Sequence, residues 1–115
     1  MFFSENLEKL VFKPYNRYGQ TLDKLFWYNI NYSDYTGIGT YILKFEPDTY
    51  TRNHIHLNDE SFYVINGTIY DSLHNKTFKK GSYVNLKKNT SHYSYSKSGC
   101  TLLVFSQGHI KRSKL

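Results

Sequence analysis

Residues 54–67 have the sequence HIHLNDESFYVING, and this stretch decides the fold. On a β-strand, side chains two positions apart point to the same face, so His54 and His56 project side by side. Glu60 follows a polar bend and begins an apolar run that ends at the Asn66-Gly67 pair. Imidazoles and a carboxylate are ligands that Zn, Fe(II), Mn and Ni accept. The stretch therefore predicts part of a metal site carried on a β-strand.

A third histidine, His92, follows a second strand-like segment and completes the pattern. Taken alone, His-x-His is more often a pair of surface histidines, Glu60 a solvated charge and His92 a loop residue. Their joint order and spacing favours a common site. We predict one divalent ion, with Fe or Zn ahead of Mn or Ni, on His54, His56, Glu60 and His92. Asp59 is the replacement carboxylate if Glu60 faces outward.

The rest of the chain favours β-structure. Short runs with period-two alternation are bounded by Gly, Asn, Asp and Ser, which is typical of a sandwich or barrel. Aromatic residues make up 18% of the 115 residues, and rings suit a half-buried pleated surface. The Asn66-Gly67 pair, between two runs of strand formers, predicts a two-residue hairpin turn. The predicted strands are Leu25–Ile30, Thr40–Phe45, Tyr50–His56, Phe62–Ile65, Thr68–Tyr70, Tyr83–Leu86, His92–Tyr95 and Thr101–Phe105.

Composition excludes several classes of protein. The net charge of +6 is spread along the chain with no nucleic-acid-binding motif, so we expect no nucleic-acid partner. No apolar run approaches the ~18 residues of a membrane span, and the N-terminus has no secretory signal. A single cysteine, Cys100, excludes an internal disulfide; we interpret it as a small buried hydrophobe. Trp27 and the face of Tyr41, Leu43 and Phe45 are predicted core, and His74 a surface loop residue.

These residues resemble the two motifs of the cupin superfamily. The first motif is G-x5-H-x-H-x3,4-E-x6-G, and here Asp48 stands at the first glycine and Gly67 at the last. The second is G-x5-P-x-G-x2-H, and Gly81 and His92 match its ends. Lys87 stands at the proline and Asn89 at the inner glycine, a place where Asn tolerates the left-handed conformation.

Within cupins, the chain is most similar to the metal-binding domain of ChrR-type anti-sigma factors and to the dioxygenases allied to it, over residues 25–107. The resemblance implies an all-β cupin barrel, or double-stranded β-helix, of about eight core strands. It also implies a homodimer, paired through residues 8–30. Besides the ligand set and the two motif glycines, the residues that carry this likeness are Glu46-Pro47, Tyr83-Val84, Thr90-Ser91 and Ser98–Val104.

We expect one domain over residues 1–115, divided into an N-terminal strand or arm (1–24), a barrel core (25–107) and a basic tail (108–115). We expect a cytoplasmic protein. The C-terminal Ser113-Lys114-Leu115 would direct it to peroxisomes if the organism is eukaryotic. An anti-sigma factor would carry an additional N-terminal sigma-binding domain, so we expect no sigma-regulating role.

Two functions remain open from the sequence. The first is a dioxygenase-like enzyme that uses a metal ion and O2 on a small oxygenated substrate, such as a diketone or phenolic ketone. The second is a non-catalytic metal-binding or small-molecule-sensing module. Arg52 is the candidate catalytic residue, because strand parity with His54 directs it into the barrel, where it would bind an anionic or enolate substrate. The alternative is that a bulge or strand twist turns Arg52 to solvent.

Overall fold

The computed structural model describes residues 6, 9–15 and 23–112, with side chains up to residue 109, and within these ranges it contains no α-helix. No described helix is long and apolar enough to cross a membrane. The Ser113-Lys114-Leu115 signal lies outside the described residues. The strands are β1 (Lys13–Pro14), β2 (Leu25–Asn29), β3 (Ile38–Phe45), β4 (Thr49–Tyr50), β5 (His54–His56), β6 (Glu60–Asp71), β7 (Lys76–Lys79), β8 (Tyr83–Leu86), β9 (Ser91–His92), β10 (Ser94–Ser96), β11 (Cys100–Gln107) and β12 (Ile110–Arg112).

Two antiparallel sheets curl around one interior, which confirms the predicted all-β barrel. The larger sheet has the order β1-β2-β3-β11-β6-β10-β4, and β7 and β8 also pair with β6. The smaller sheet has the order β12-β5-β9. Within the predicted basic tail, residues 110–112 form β12 against β5. This pairing satisfies backbone groups that would otherwise remain unpaired at the edge of β5.

The predicted Asn66-Gly67 hairpin is wrong, because β6 continues through both residues. The first half of β6 pairs with β8 and the second half with β7, and the register against β11 shifts beside Asn66. Gly67 has a φ of 76°, whereas Asn66 is not among the residues with positive φ, so a type I′ turn does not form. A bulge and a hairpin turn both favour glycine at positive φ, which is why the local pattern fits either. The chain reverses later, at residues 72–75.

The core occupies the space between the sheets. Tyr41, Leu43 and Phe45 on β3 are buried, as the sequence predicted. Trp27 is partly buried and packs against this core, with its ring edge-on to those of Tyr32 and Tyr41. The remaining described core residues come mainly from β6, β8 and β11. Their apolar side chains surround the barrel interior that the histidines face.

Gly67 should be intolerant of any side chain. A Cβ there would lie 2.1 Å from the carbonyl oxygen of Gly99, whereas at Gly81, also at positive φ, nothing lies within 4 Å. Gly81→Ala should therefore cost only the left-handed strain, about 1–2 kcal/mol. Gly67→Ala should cost about 1–3 kcal/mol more because backbone must move. Denaturant unfolding of both variants measures the difference; equal losses would contradict the close approach.

Cys100 is buried, which confirms its interpretation as a small core residue. Burial raises the pKa of its thiol to about 12, although a hydrogen bond with Ser96 opposes the shift. The thiolate is the reactive form, and an unfolded thiol, with a pKa of 9.0, supplies it much more readily at pH 8. An aromatic disulfide reagent at pH 8 should therefore label Cys100 slowly in the folded protein and rapidly in denaturant. Rapid labelling of folded protein would show that the thiol is accessible.

Candidate metal centre

The smaller sheet brings the three predicted histidine ligands together. Central strand β5 has His54 and His56 buried and Ile55 between them exposed, as period-two alternation predicts. His54 is directly opposite His92 of β9. All three imidazoles therefore face the barrel interior on neighbouring backbone positions.

The loop between β8 and β9 is hydrogen-bonded to the backbone of His56, and this fixes the approach to His92. The amide of Asn89 donates to the carbonyl of His56 at 2.6 Å, and the amide of His56 donates to the carbonyl of Thr90 at 2.8 Å. Asn89 has a φ of 67°, which confirms that it holds the left-handed turn. These bonds fix the loop although Lys87 stands where the cupin motif has proline.

One potential ligand atom from each of His54, His56 and His92 lies within 4.8 Å of the others. The partners of two rings set their tautomers. Nδ1 of His54 donates to the carbonyl of Arg52 at 2.8 Å, and Nδ1 of His92 donates to the carboxylate of Asp71 at 2.5 Å. When neutral, both rings then carry their lone pair on Nε2, where a metal ion would take it.

The Nε2 atoms of His56 and His92 face each other in an arrangement that a cation would stabilise. They lie 2.8 Å apart, and the buried Nδ1 of His56 has no hydrogen-bond partner among the described residues. If Nε2 of His56 donates to His92, Nδ1 keeps a buried, unused lone pair. If it does not, two lone pairs face each other. An ion bound to both Nε2 atoms removes that repulsion, so the donor set fits a divalent metal.

The charge state of His56 also suits ligation. Burial, followed by the proximity of His92, lowers its pKa from 6.5 to about 4, although the carboxylate of Asp71 acts in the opposite direction. The ring is therefore neutral at pH 7, as a ligand must be.

Glu60 begins β6 beside this cluster. Its Oε2 lies 3.9 Å from Nε2 of His56, and its side chain lines the same interior cavity as His54 and His92. Glu60 is not one of the three clustered ligands, but it is within a small side-chain movement of them. Asp59, the replacement carboxylate, lies elsewhere: it accepts a hydrogen bond from the amide of Lys88 and lines an outer polar cleft.

The predicted interior position of Arg52 is wrong. Its side chain is exposed and does not line the cavity, whereas Thr51 does. Strand parity fails here because residues 51–53 lie between β4 and β5 and belong to neither. Only the backbone of Arg52 contributes to the site, through its bond to His54.

The sequence yielded no prediction for Asp71, whereas His74 lies exposed in a turn, as predicted. Asp71 is fully buried at the end of β6, and its carboxylate accepts hydrogen bonds from His92 and His74. His74, predicted to be a loop surface residue, has an exposed ring that is nonetheless bonded to this buried carboxylate. Strand parity could have indicated that Asp71 is buried, because it lies two positions after the apolar Ile69 and points to the same face of β6. We did not predict this burial because Asp71 lies directly before a turn.

The interior cavity beside the ligands is small, about 50 Å³. Its walls are mostly apolar. The polar residues that line it are Thr51, Ser94, His54, His92 and Glu60. The apolar lining residues are Tyr15, Leu25, Tyr41, Leu43, Phe45, Phe62, Leu86, Leu102 and Val104.

A family model described as the ChrR cupin-like domain matches residues 13–111. The chain belongs to the ChrR cupin-like family. Membership accounts for the barrel fold of the chain. It confirms the cupin resemblance inferred from the motifs.

Solved cupin structures share the fold at low sequence identity. An acetylacetone dioxygenase from Acinetobacter johnsonii superposes with a TM-score of 0.76 at 15% identity, over 97% of this chain and 80% of that one. The polyketide cyclase RemF from Streptomyces resistomycificus gives 0.74 at 12%, over 100% and 87%. The Cnp3 cupin domain of Schizosaccharomyces pombe gives 0.66 at 14%, over 90% and 72%. No curated protein matches the chain significantly.

Metal content should depend on the imidazoles of this cupin and not on Arg52. We expect about one divalent ion per chain in wild type. His92→Ala should lower metal affinity at least tenfold, because it removes a ligand. Arg52→Ala should leave affinity unchanged, since it retains the carbonyl that bonds to His54. Equilibrium dialysis with elemental analysis measures both, and equal retention by the two variants would contradict the three-histidine site.

Proposed function

We propose that this cupin is a metal-dependent, dioxygenase-like enzyme that acts on a small oxygenated organic substrate. The observation that carries the proposal is the apolar cavity that directly adjoins His54, His92 and Glu60. A metal held only for structural stability needs no space beside it. A substrate site needs a largely apolar, water-poor cavity with few polar groups, which is what these walls supply.

In the proposed enzyme, His54, His56 and His92 hold the ion, and Glu60 lies beside it, outside the ligand shell. A redox-active divalent ion such as iron would supply Lewis acidity and electron transfer to O2. The protein contributes a site from which water is largely excluded. The hydroxyl groups of Thr51 and Ser94 are the polar cavity groups available to orient a substrate oxygen. No cationic side chain lines this cavity among the described residues, so Arg52 has no part in binding an anion there.

The cavity limits the size of the substrate. A volume of 50 Å³ corresponds to about four water-sized spheres. Drug-sized ligands occupy pockets of roughly 300–1,000 Å³. A compact aliphatic diketone is therefore favoured over a phenolic ketone, whose ring would require the walls to move.

Val104 offers a test of this assignment, because it is buried on β11 and lines the cavity without belonging to the ligand set. Iron-loaded protein should consume O2 in the presence of pentane-2,4-dione. Val104→Leu should reduce that turnover by filling space, and Val104→Ala should shift preference toward 1-phenylbutane-1,3-dione. Metal content should be unchanged in both variants. Overpacking and cavity changes of this size each cost about 1–3 kcal/mol, so thermal melts must confirm folding.

An oxygen electrode measures the rates. Identical substrate preference in wild type and both Val104 variants would show that the cavity is not the reaction site. If wild type, shown by analysis to contain iron, consumes no O2 with any small diketone, the dioxygenase proposal fails.

The alternative is a non-catalytic metal-binding or small-molecule-sensing module. Glu60 is the observation that favours it: if this carboxylate closes a four-ligand shell with the three histidines, the site resembles a structural zinc centre. Catalytic sites instead leave a position open. Zinc in the protein as isolated, together with substantial loss of metal in Glu60→Gln, would support the module. Iron retained in Glu60→Gln would support an open, catalytic shell.

A further inference from the structure

We propose that Asp71 and His74 are positioning residues of the metal centre: Asp71 fixes the tautomer and orientation of His92, and His74 holds the Asp71 carboxylate in place. This inference rests on the proposed metal binding at His54, His56 and His92. It extends the site outward to the surface turn between β6 and β7.

The two carboxylate oxygens of Asp71 have separate partners. Oδ1 accepts the Nδ1 proton of His92, and Oδ2 accepts both the backbone amide of His74 at 2.9 Å and its ring Nδ1 proton at 2.6 Å. Because both hydrogen bonds from His74 reach one oxygen, the other remains directed at His92. The ring of His74 is itself supported edge-on against Phe78, with centroids 5.7 Å apart.

The backbone explains why Asp71 reaches His92. Asp71 of β6 pairs with Ser94 of β10, and Ser94 lies two positions after His92. The amide of Ser72 donates to the carbonyl of Tyr93, and the amide of Tyr93 donates to the hydroxyl of Ser72. The turn that carries His74 is thus fixed to the residue that follows His92.

The three rings differ in what lies at Nδ1. Nδ1 of His92 donates to a carboxylate and Nδ1 of His54 to a neutral carbonyl, whereas Nδ1 of His56 has no hydrogen-bond partner among the described residues. The carboxylate that accepts the Nδ1 proton of His92 makes its Nε2 the more basic donor to an ion.

Four proteins test the roles: wild type, Asp71→Asn, His74→Phe and His74→Asn. Asp71→Asn keeps the shape of the side chain and removes its charge. His74→Phe keeps an aromatic ring against Phe78 and removes the ring donor. His74→Asn is the matched rescue, because its side-chain amide can donate near the original Nδ1 position.

Two readouts separate positioning from a structural role. Zinc affinity is measured by competition with a chromophoric chelator, and the tautomer of His92 by ¹⁵N NMR of the metal-free protein. Asp71→Asn should weaken zinc binding about 10–100-fold and move His92 away from the pure Nδ1–H form. His74→Phe should weaken binding less, and His74→Asn should restore it toward wild type.

Several outcomes would overturn the inference. Finding His92 of the wild-type protein in the Nε2–H form would overturn it. This readout does not depend on whether Asp71→Asn folds. Zinc binding by Asp71→Asn, or by His74→Phe, with the affinity of wild type would overturn it as well. Wild type that takes up no zinc would instead overturn the metal centre itself, and this inference with it, so the two failures are distinguishable.

Discussion

The close approach of Gly67 to the backbone of Gly99 is the constraint on which the arrangement depends. It allows β6 to bend and continue without a break. The first part of the strand pairs with β8 and β11 and the last part with β7 and β10, so β6 joins the two parts of the larger sheet. The two ends of that strand then lie at the site. Glu60 begins β6 beside the histidines, and Asp71 ends it behind His92. A hairpin at Asn66-Gly67 would have sent the chain back before Asp71 could reach His92.

The cost of burying three imidazoles explains much of the surrounding structure. A buried ring must remain neutral or have an anionic partner, because desolvation disfavours the charged form. His54 donates to a backbone carbonyl, His92 to an ionised carboxylate, and His56 is kept neutral with a pKa of about 4. Among the described residues, Nδ1 of His56 is a buried atom without a hydrogen-bond partner, and it belongs to the ring whose Nε2 faces that of His92. Polar groups left unsatisfied in an interior mark sites where function overrides stability.

Sequence patterns predicted the histidine cluster and the barrel because both depend on short-range rules. The i, i+2 spacing of His54 and His56 places them on one face wherever residues 54–56 are extended, and they are. Asp48 and Asn89, at two glycine positions of the cupin motifs, both have positive φ, which short polar side chains tolerate. Parity failed at Arg52 because it assumed a strand that stops at Tyr50. Parity with Ile69 could indicate that Asp71 is buried but not that it bonds to His92, and β12 depends on a partner distant in sequence.

Fold similarity alone does not decide the chemistry of this cupin. A dioxygenase, a polyketide cyclase and the Cnp3 cupin domain superpose on it with TM-scores of 0.76, 0.74 and 0.66 at 12–15% identity. One barrel thus supports different functions, and function must be argued from the site. Here the deciding quantity is the number of ligands that close around the ion. If Glu60 ligated, the four side chains would match the closed set of a structural site. If Glu60 stays 3.9 Å from His56, the three histidines would leave a position free for a substrate, and the adjoining apolar walls would be those of its binding site.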